Sequence, residues 1–486
     1  METLQEYRFT STIPVVGGLV ARLREAWNSV ATKWQARPLM EQQSAFNRAL
    51  VDWLERPPGL ADVDELFALQ DRRQTAANRD AAIASMRVEG LDRMNEGRLP
   101  RIAWFSPMPP SRSGIADYSM ELLPHLSRLA DVTVFAGGPT SVYIDGIETG
   151  QVADFPLQLS GFDLPIYQMG NSDQHNAIYD MLIRYPGIIV LHDYFLHHFI
   201  RHRTVGRGHW AAYGREMGYG MGNRGRRLVR AISAGAMEPP LFDVPLNNRV
   251  IDSAVGMIVH SEFVAERVRQ ARPDLPLAVV PALVELHAGH SIRSELGLPE
   301  HAVIFGSFGQ ITAEKQIDVA LRAFRDLRQR YPDARYVLAG EAQPDVDLNA
   351  LIAGSGVGEF VHPIGYTADL AGFVNRLHSV DVVVNLRHPT VGETSAIALR
   401  AMAAARPLIV YDHGWYSELP AAAALKVKPG DFQGLQAAMA TLAGSADLRR
   451  AMGKAGLEFV RAHCLPSRVA ESYRAFIDIV LEPVRA

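Results

Sequence analysis

A polar loop between two buried strands carries the residues best suited to chemistry. The loop contains a cation, Arg387, and a carboxylate, Glu393. Thr394 and Ser395 follow, and either hydroxyl can cap the alanine-rich helix that begins there. Free amides at a helix N-terminus bind phosphate groups. The segment from Gly392 to Ser395 is therefore predicted to bind a diphosphate, although an ordinary turn before a helix has the same pattern.

Histidine and acidic residues follow another buried strand in the first half of the chain. The strand spans 187–191, and His192 and Asp193 come directly after it. His192 is a candidate catalytic or ligand-contacting group. His197 and His198 lie one turn further on. Their spacing matches no strong zinc signature, so core or helix-capping histidines are favoured over a metal site.

Alternating strands and helices must position these groups. This alternation predicts two parallel, doubly wound sheets, in which ligands bind where the strands end. We place a first domain at 98–290 and a second at 291–467, with a last helix at 468–486 crossing back to the first. The cleft between two such domains is a common place for a small ligand.

The composition excludes several classes of protein. The 486 residues are 48% hydrophobic, which suffices for two or three domains. The net charge of −4 gives no reason to expect nucleic acid, and the single cysteine, Cys464, rules out a disulfide framework. No signal pattern or long apolar run is present, so we predict a cytoplasmic protein. The first strand–helix–strand unit, 101–136, lacks the glycine pattern of nicotinamide-binding proteins.

Two segments are candidates for contact with a partner. Residues 1–97 look like a separate helical extension, either an arm for packing or homo-oligomerisation or, through the tryptophans of 19–54, a peripheral membrane helix. Segment 201–230 contains eight arginines and one glutamate in a chain that is slightly acidic overall. It is either a solvated face or a surface for an anionic partner such as phospholipid or a lipid-phosphate acceptor.

Several motifs, taken together in this order, resemble those of glycosyltransferase family 4. They are PMPPSRSGIADYS, GNSDQHNAIY, LHDYFLHH, VHSEFVAERV and VPALVE in the first half, and FGQITAEKQIDVALRAF, YVLAGE and GETSAIALRAMAAARPLIV in the second. The resemblance covers about 99–480. It implies the GT-B fold, which is two facing Rossmann-like domains, and sugar transfer from a nucleoside diphosphate sugar with retention at the anomeric carbon. It also implies that no metal or other cofactor is needed, and that the acceptor is a saccharide or a lipid-linked molecule of cell-surface polysaccharide or glycoconjugate synthesis, at the inner face of the membrane.

The resemblance assigns roles to individual residues. Lys315 matches the lysine that contacts the donor diphosphate, and Gly306 and Gly309 match small residues beside the phosphates. Glu393 lies in the loop that carries the first glutamate of the family, and His192 matches a histidine near the transferred sugar. His192, Lys315 and Glu393 are therefore the predicted catalytic residues.

Two positions depart from the family pattern. Gln310 replaces an arginine, which removes a fixed positive charge from the leaving group. Arg400 replaces the second glutamate, which holds the donor ribose. A strict alignment puts Gly392 at the first glutamate position, with Glu393 one residue later. Arg387 or Arg400 could compensate for the missing charge.

The full prediction has a donor side and an acceptor side that domain closure brings together. The donor side comprises Gly306, Gly309, Gln310, Lys315, Arg387, Gly392, Glu393, Thr394, Ser395 and Arg400. The acceptor side comprises Gly114, Asp117, His175 and Asp193. Two alternatives stay open: a sugar-nucleotide epimerase of the same fold, and a non-catalytic binding or scaffold relative in which the two departures remove activity.

Overall fold

The computed structural model describes residues 60–137, 144–367 and 369–482. In its first helix the side chains of residues 65–86 are described. The tryptophan-containing segment 19–54 lies outside the described residues. The structure therefore does not test whether this segment is a packing arm or a peripheral membrane helix.

Seven parallel strands form the first sheet. They are β1 (Arg101–Ser106), β2 (Asp131–Ala136), β3 (Glu148–Gln151), β4 (Leu164–Met169), β5 (Ile188–Leu191), β6 (Gly256–Val259) and β7 (Leu277–Val279). Their spatial order is β3-β2-β1-β4-β5-β6-β7, so the direction of winding reverses between β1 and β4. Every residue of β4 and β5 is buried, because helices cover both faces of a parallel sheet.

Eight helices precede or connect these strands in the described residues. They are α1 (Leu60–Glu96), α2 (Gly114–Leu126), α3 (Phe155–Gln158), α4 (Asn176–Arg184), α5 (His197–Arg203), α6 (Trp210–Ser233), α7 (Asn248–Ser253) and α8 (Glu262–Ala271). Helix α1 packs on α6 and α7, where Arg72 donates to the carbonyl of Tyr219 at 3.1 Å and Arg249 pairs with Asp71 at 3.1 Å. The predicted helical character of the N-terminal region is confirmed over its described part.

Six parallel strands form the second sheet. They are β8 (Ile304–Phe308), β9 (Arg335–Ala339), β10 (Val361–Pro363), β11 (Val382–Asn385), β12 (Leu408–Tyr411) and β13 (Ala424–Val427). Their order is β10-β9-β8-β11-β12-β13, and here the winding reverses between β8 and β11. The two sheets confirm the predicted fold class of two doubly wound, Rossmann-like units.

The described residues of the second half contain seven further helices. They are α9 (Ile317–Arg328), α10 (Leu348–Gly354), α11 (Leu370–His378), α12 (Ala396–Ala403), α13 (Phe432–Gly444), α14 (Ala446–His463) and α15 (Pro466–Leu481). Helix α15 leaves the second sheet and packs against α2, where the hydroxyls of Tyr473 and Tyr118 lie 2.8 Å apart. In the part of the chain that the structure describes, no helix combines the length and the apolar character needed to cross a membrane.

Candidate functional site

The loops that follow β8 and β11 lie side by side, because these strands are neighbours at the reversal point of the second sheet. In open α/β sheets, ligands bind at this point, outside the carboxyl ends of the strands. The first loop carries Gly309 and Lys315, and the second carries Arg387 and Glu393. A backbone hydrogen bond of 2.7 Å from His388 to the carbonyl of Glu314 joins them. The structure thus brings the predicted lysine and glutamate to one edge of the sheet.

Lys315 is a half-buried cation held against the end of β8. Its Nζ donates to the carbonyl oxygen of Phe308 at 2.5 Å. A methyl group added at Gly309 would lie 2.9 Å from Nζ, and the φ of +78° at Gly309 also favours glycine. Burial, and then the positive charge of Arg387, lower the pKa of Lys315 to about 7. The charge of a bound anion would stabilise the protonated form of Lys315 and so raise this pKa.

Glu393 is a buried carboxylate, 8% exposed, whose two oxygens are engaged within its own loop. Oε1 accepts from Nε of Arg387 in an ion pair. Oε2 accepts from Oγ1 of Thr390 at 2.7 Å and from the backbone N–H of Val391 at 2.8 Å. Glu393 therefore fixes the shape of the loop, and a sugar hydroxyl would have to share these oxygens.

Gly392 is the point at which this loop contacts the first domain. Its φ is +79°, and an added methyl group would lie 2.6 Å from Cβ of Tyr194. Beside it, the N–H of Phe195 donates to the carbonyl of Val391 at 2.9 Å. Burial, and next the charge of Glu393, raise the pKa of Asp193 to about 6. The ends of β5 and β11 therefore meet across the cleft.

Helix α12 begins immediately after this loop. Oγ of Ser395 accepts from the N–H of Ala398 at 3.2 Å and from Nδ2 of Asn385 at 2.8 Å. The N-cap is therefore Ser395, and Thr394 precedes it in the chain. The two hydrogen bonds hold the helix start at the carboxyl end of β11, where the predicted phosphate-binding floor would lie.

Gly306 and Gln310, which were predicted for the donor side, take no part in the contacts that join the loops after β8 and β11. Gly306 is inside β8, where an added methyl group would lie 2.9 Å from the side chains of Phe308 and Val380. It therefore packs in the core beneath the loop, because it precedes the end of the strand. Gln310 is exposed at the start of the loop.

Arg400 is directed towards the first domain. Its guanidinium pairs with Glu121 of α2, and its Nη1 is buried without a hydrogen-bond partner. The charge of Arg400 also acts on Asp117, which is exposed one turn earlier on α2. Of the two arginines expected to compensate for Gln310, Arg387 is the one whose charge acts on the predicted lysine.

Three loops of the first sheet converge at Gly170, directly after β4. A methyl group added there would lie 2.4 Å from Cδ1 of Ile115, 3.1 Å from Cε1 of His175 and 3.2 Å from Oδ2 of Asp193. Gly114 begins α2 beside Ile115. The predicted acceptor-side residues Gly114, His175 and Asp193 therefore belong to one neighbourhood.

The two predicted histidines of the first domain are neutral imidazoles at neutral pH. Burial lowers the pKa of His175 to about 4, and its Nδ1 lies 3.1 Å from Oγ of Ser172. Burial, followed by the neighbouring His260, lowers the pKa of His192 well below its usual value. Nε2 of His192 lies 2.8 Å from Oε1 of Gln168. Neither histidine therefore supplies a fixed positive charge.

His197 is a core histidine, which is the interpretation that the sequence favoured. Its Nδ1 lies 2.8 Å from the carbonyl of Val244, and its Nε2 lies 2.7 Å from the hydroxyl of Tyr213. Within the described ranges, no three His, Cys, Asp or Glu side chains are grouped so that they could hold a metal ion.

Sequence reasoning missed the contacts that join the two domains. The carboxylate of Glu418 accepts from the N–H groups of Glu262 at 3.0 Å and Phe263 at 2.8 Å, in the first turn of α8. Glu121 and Tyr194 were missed for the same reason. These partners are far apart in the chain, 156 positions for Glu418 and Glu262, so no local pattern marks them.

Replacing Gly392 by alanine should separate the two domains at this contact, because the new methyl group would collide with Cβ of Tyr194. Gly430→Ala is the matched control, since Gly430 has a φ of +84° and open space around it. In both variants the free energy of unfolding should fall by about 1–2 kcal/mol, because alanine is strained at a positive φ. Gly392→Ala should lower the free energy of unfolding by more than the control does, which thermal unfolding measures. It should also increase the radius of gyration in X-ray scattering, and the control should not. Equal effects of the two substitutions would contradict the contact.

Comparison with known proteins agrees with this architecture. Residues 290–459 match the model of a protein family described as glycosyl transferases group 1. HepE from Anabaena, solved in complex with UDP, is 16% identical with a TM-score of 0.55, covering 77% of this chain and 98% of that one. Sucrose-phosphate synthase from Thermosynechococcus elongatus is 16% identical with a TM-score of 0.56, covering 77% and 97%. A glycosyltransferase from Rickettsia africae is 12% identical with a TM-score of 0.55, covering 79% and 99%.

No match was found among curated proteins. At these identities the solved structures establish the fold and not the substrate. The protein therefore has the GT-B fold, and its residues 290–459 are similar to the glycosyl transferases group 1 domain.

Proposed function

We propose that this protein transfers a sugar from a nucleoside diphosphate sugar to a hydroxyl acceptor, with retention at the anomeric carbon. The observation that carries the proposal is the placement of Lys315 and Arg387 beside the N-terminus of α12, at the reversal point of the second sheet. The family match of residues 290–459 supports it. HepE, which shares the fold, has been solved in complex with UDP-glucose.

The proposed reaction breaks the bond between the anomeric carbon and the diphosphate oxygen. Negative charge then develops on the leaving diphosphate, and preorganised positive groups lower the barrier most when they face that charge. Lys315, Arg387 and the amides of Thr394 and Ser395 would supply them. The acceptor oxygen attacks the anomeric carbon from the face that the diphosphate leaves, and the departing phosphate takes the acceptor proton. The products are a glycoside and a nucleoside diphosphate.

The first domain would hold the acceptor and the transferred sugar. His192 and Asp193 lie at the end of β5, next to the loop that Glu393 shapes. Contact between Tyr194 and Gly392 brings these groups towards the donor side. In the proposed reaction, this closed arrangement would keep water from the donor. Much of the rate would come from this positioning, since holding two reactants in line removes an entropic barrier.

Lys315→Ala and Glu393→Ala should each reduce sugar transfer by about a hundredfold or more, the effect of losing one preorganised group. The first variant loses positive charge at the leaving group, and the second releases Arg387 and the loop. Turnover of donor is measured with purified protein, and circular dichroism checks the fold. Lys454→Ala is the control, since that side chain is 78% exposed and pairs with Glu458. Wild-type rates in both test variants would refute the assignment.

The pKa of Lys315 predicts how donor affinity depends on pH. With a pKa of about 7 in the free protein, Lys315 is charged below pH 7 and loses its proton above it. A diphosphate stabilises the charged form, so binding above pH 7 requires proton uptake. Affinity for UDP-glucose should therefore be constant below pH 7 and fall by up to about tenfold per unit above it.

Isothermal titration calorimetry between pH 6 and 8.5 checks this dependence. Lys315→Arg should bind with a nearly flat profile, because arginine stays protonated throughout. A wild-type profile as flat as that of Lys315→Arg would show that Lys315 does not meet the donor charge.

We further propose that the acceptor is lipid-linked, in cell-surface polysaccharide or glycoconjugate synthesis, and is met at the inner face of the membrane. Six of the eight arginines of segment 201–230 are exposed along α5, α6 and the turn between them, whereas Arg226 is buried and Arg203 pairs with Asp180. Trp210 and Met237 add apolar surface, 38% and 39% exposed. Arginines beside exposed tryptophan suit an anionic lipid surface.

A triple substitution of Arg224, Arg227 and Arg230 by glutamate should abolish binding to anionic vesicles, because it reverses charge on this surface. The test is flotation with vesicles of phosphatidylglycerol and phosphatidylcholine at low and physiological salt. Glutamate at Arg322, Arg325 and Arg450 makes the same change in charge on exposed positions of the second domain and should leave binding intact. Equal loss in both variants, or no wild-type binding, would contradict the proposal.

A further inference from the structure

We propose that Gln168 is a positioning residue that fixes the proton of His192 on Nε2, so that Nδ1 accepts a hydrogen bond from a ligand. The inference rests on the proposed function in one respect, which is that His192 contacts a reacting molecule. Its geometric part, the state of the imidazole, can be tested without any assay of sugar transfer.

Gln168 is built into the sheet directly below His192. It lies in β4 and is fully buried, and β4 pairs in parallel register with β5, where Gln168 stands opposite Val190. His192 follows β5 by one residue, and its N–H donates to the carbonyl of Met169 at 2.9 Å. The 2.8 Å contact between Oε1 of Gln168 and Nε2 of His192 is therefore set by the strand pairing.

The chemistry of the two side chains decides which nitrogen carries the proton. A neutral imidazole has one N–H donor and one acceptor nitrogen. The amide oxygen of Gln168 can only accept, so the nitrogen facing it must be the N–H. Nδ1 then keeps its lone pair, and no hydrogen bond to Nδ1 is present in the described part of the protein. His192 is partly exposed, which leaves this nitrogen available to a ligand.

The other end of the Gln168 amide lies next to a hydroxyl, which can donate or accept a hydrogen bond. The amide nitrogen is buried and has no hydrogen-bond partner of its own. It faces the hydroxyl of Tyr473 on α15, where it opposes the strong rise that burial gives to the pKa of that hydroxyl. A turned amide would place its oxygen at the Tyr473 hydroxyl, which can donate to it, and its N–H groups on His192. The proton of His192 would then lie on Nδ1, so its position reports which way the amide faces.

Aromatic rings hold the imidazole in this position. The ring of Tyr118 packs edge-on against the imidazole of His192, with ring centroids 5.0 Å apart and an interplanar angle of 81°. The ring of His260 lies 4.8 Å away, and Nδ1 of His260 contacts the carbonyl of Val280 at 2.8 Å. The hydroxyl pair of Tyr118 and Tyr473 closes a ring of contacts that passes through Gln168 and His192. The last helix of the chain thus supports the arrangement.

The consequence for the reaction is that His192 accepts a hydrogen bond at Nδ1 and does not donate one there. Its ligand must therefore present a hydrogen-bond donor, such as a sugar or acceptor hydroxyl, and not an unprotonated phosphate oxygen. Loss of the Gln168 contact would leave the proton free to occupy either nitrogen. A fraction of the molecules would then present an N–H group at Nδ1, and the imidazole ring would be less well oriented.

The test is ¹⁵N NMR of the full-length protein labelled at histidine, with His192→Asn used to assign the signals. The wild type should show a protonated Nε2 and an unprotonated Nδ1. Gln168→Met, which keeps the volume and removes the acceptor, should show exchange between the two forms. Tyr213→Phe is the control, since it removes the hydroxyl that contacts the core histidine His197, outside this network, and should leave the proton of His192 on Nε2. Thermal unfolding checks that each variant is folded.

Kinetics give the second measurement. Gln168→Met should lower kcat on the order of a hundredfold, the loss expected from a misplaced group, and change the KM for the donor less than about twofold. A wild-type proton on Nδ1, or a single unchanged form in Gln168→Met, would overturn the proposal. If the proton moves and turnover does not change, the positioning stands and the role of His192 in the proposed function is wrong.

Discussion

The ion pair between Arg387 and Glu393 is the interaction on which the rest of the site depends. It is largely buried, so removal of either partner would leave a charge with nothing to compensate it. The pair shapes the loop after β11, and this loop presents Gly392 to the first domain. Burial, and then the charge of the same arginine, lower the pKa of Lys315, so Arg387 contributes to both the geometry and the charge of the donor side.

The loop also explains how two independent sheets produce one site. Each sheet reverses its winding at its centre, and each therefore leaves an open crevice at the carboxyl ends of its strands. Close approach of Gly392 to Tyr194 and the backbone bond from Phe195 to Val391 bring the two crevices together. Two further contacts join the domains. Glu418 accepts from the first turn of α8, and Arg400 pairs with Glu121 of α2.

The first domain contributes a different kind of environment. The side chains of His175 and His260 are buried and that of His192 is partly exposed, and burial lowers the pKa of all three. Burial and the nearby charge of Glu393 raise the pKa of Asp193. Within the candidate site, the positive groups Lys315 and Arg387 thus belong to the second domain, and the first domain contributes hydrogen-bonding groups of low charge. Such a division suits a reaction in which charge builds up on the leaving group and the acceptor is a neutral hydroxyl.

The sequence by itself determined the two doubly wound sheets, because continuous apolar strands alternating with amphipathic helices have few other ways to bury their surface. It also determined that Lys315, Glu393 and His192 follow strands, and hence that they lie at sheet edges. Only the tertiary structure decided which partners they meet. Gly306 proved to be a core residue, Arg400 turned to Glu121, and Gln168 came to support His192. These outcomes depend on strand order and domain contact, which bring together residues far apart in the chain, and no local pattern encodes them.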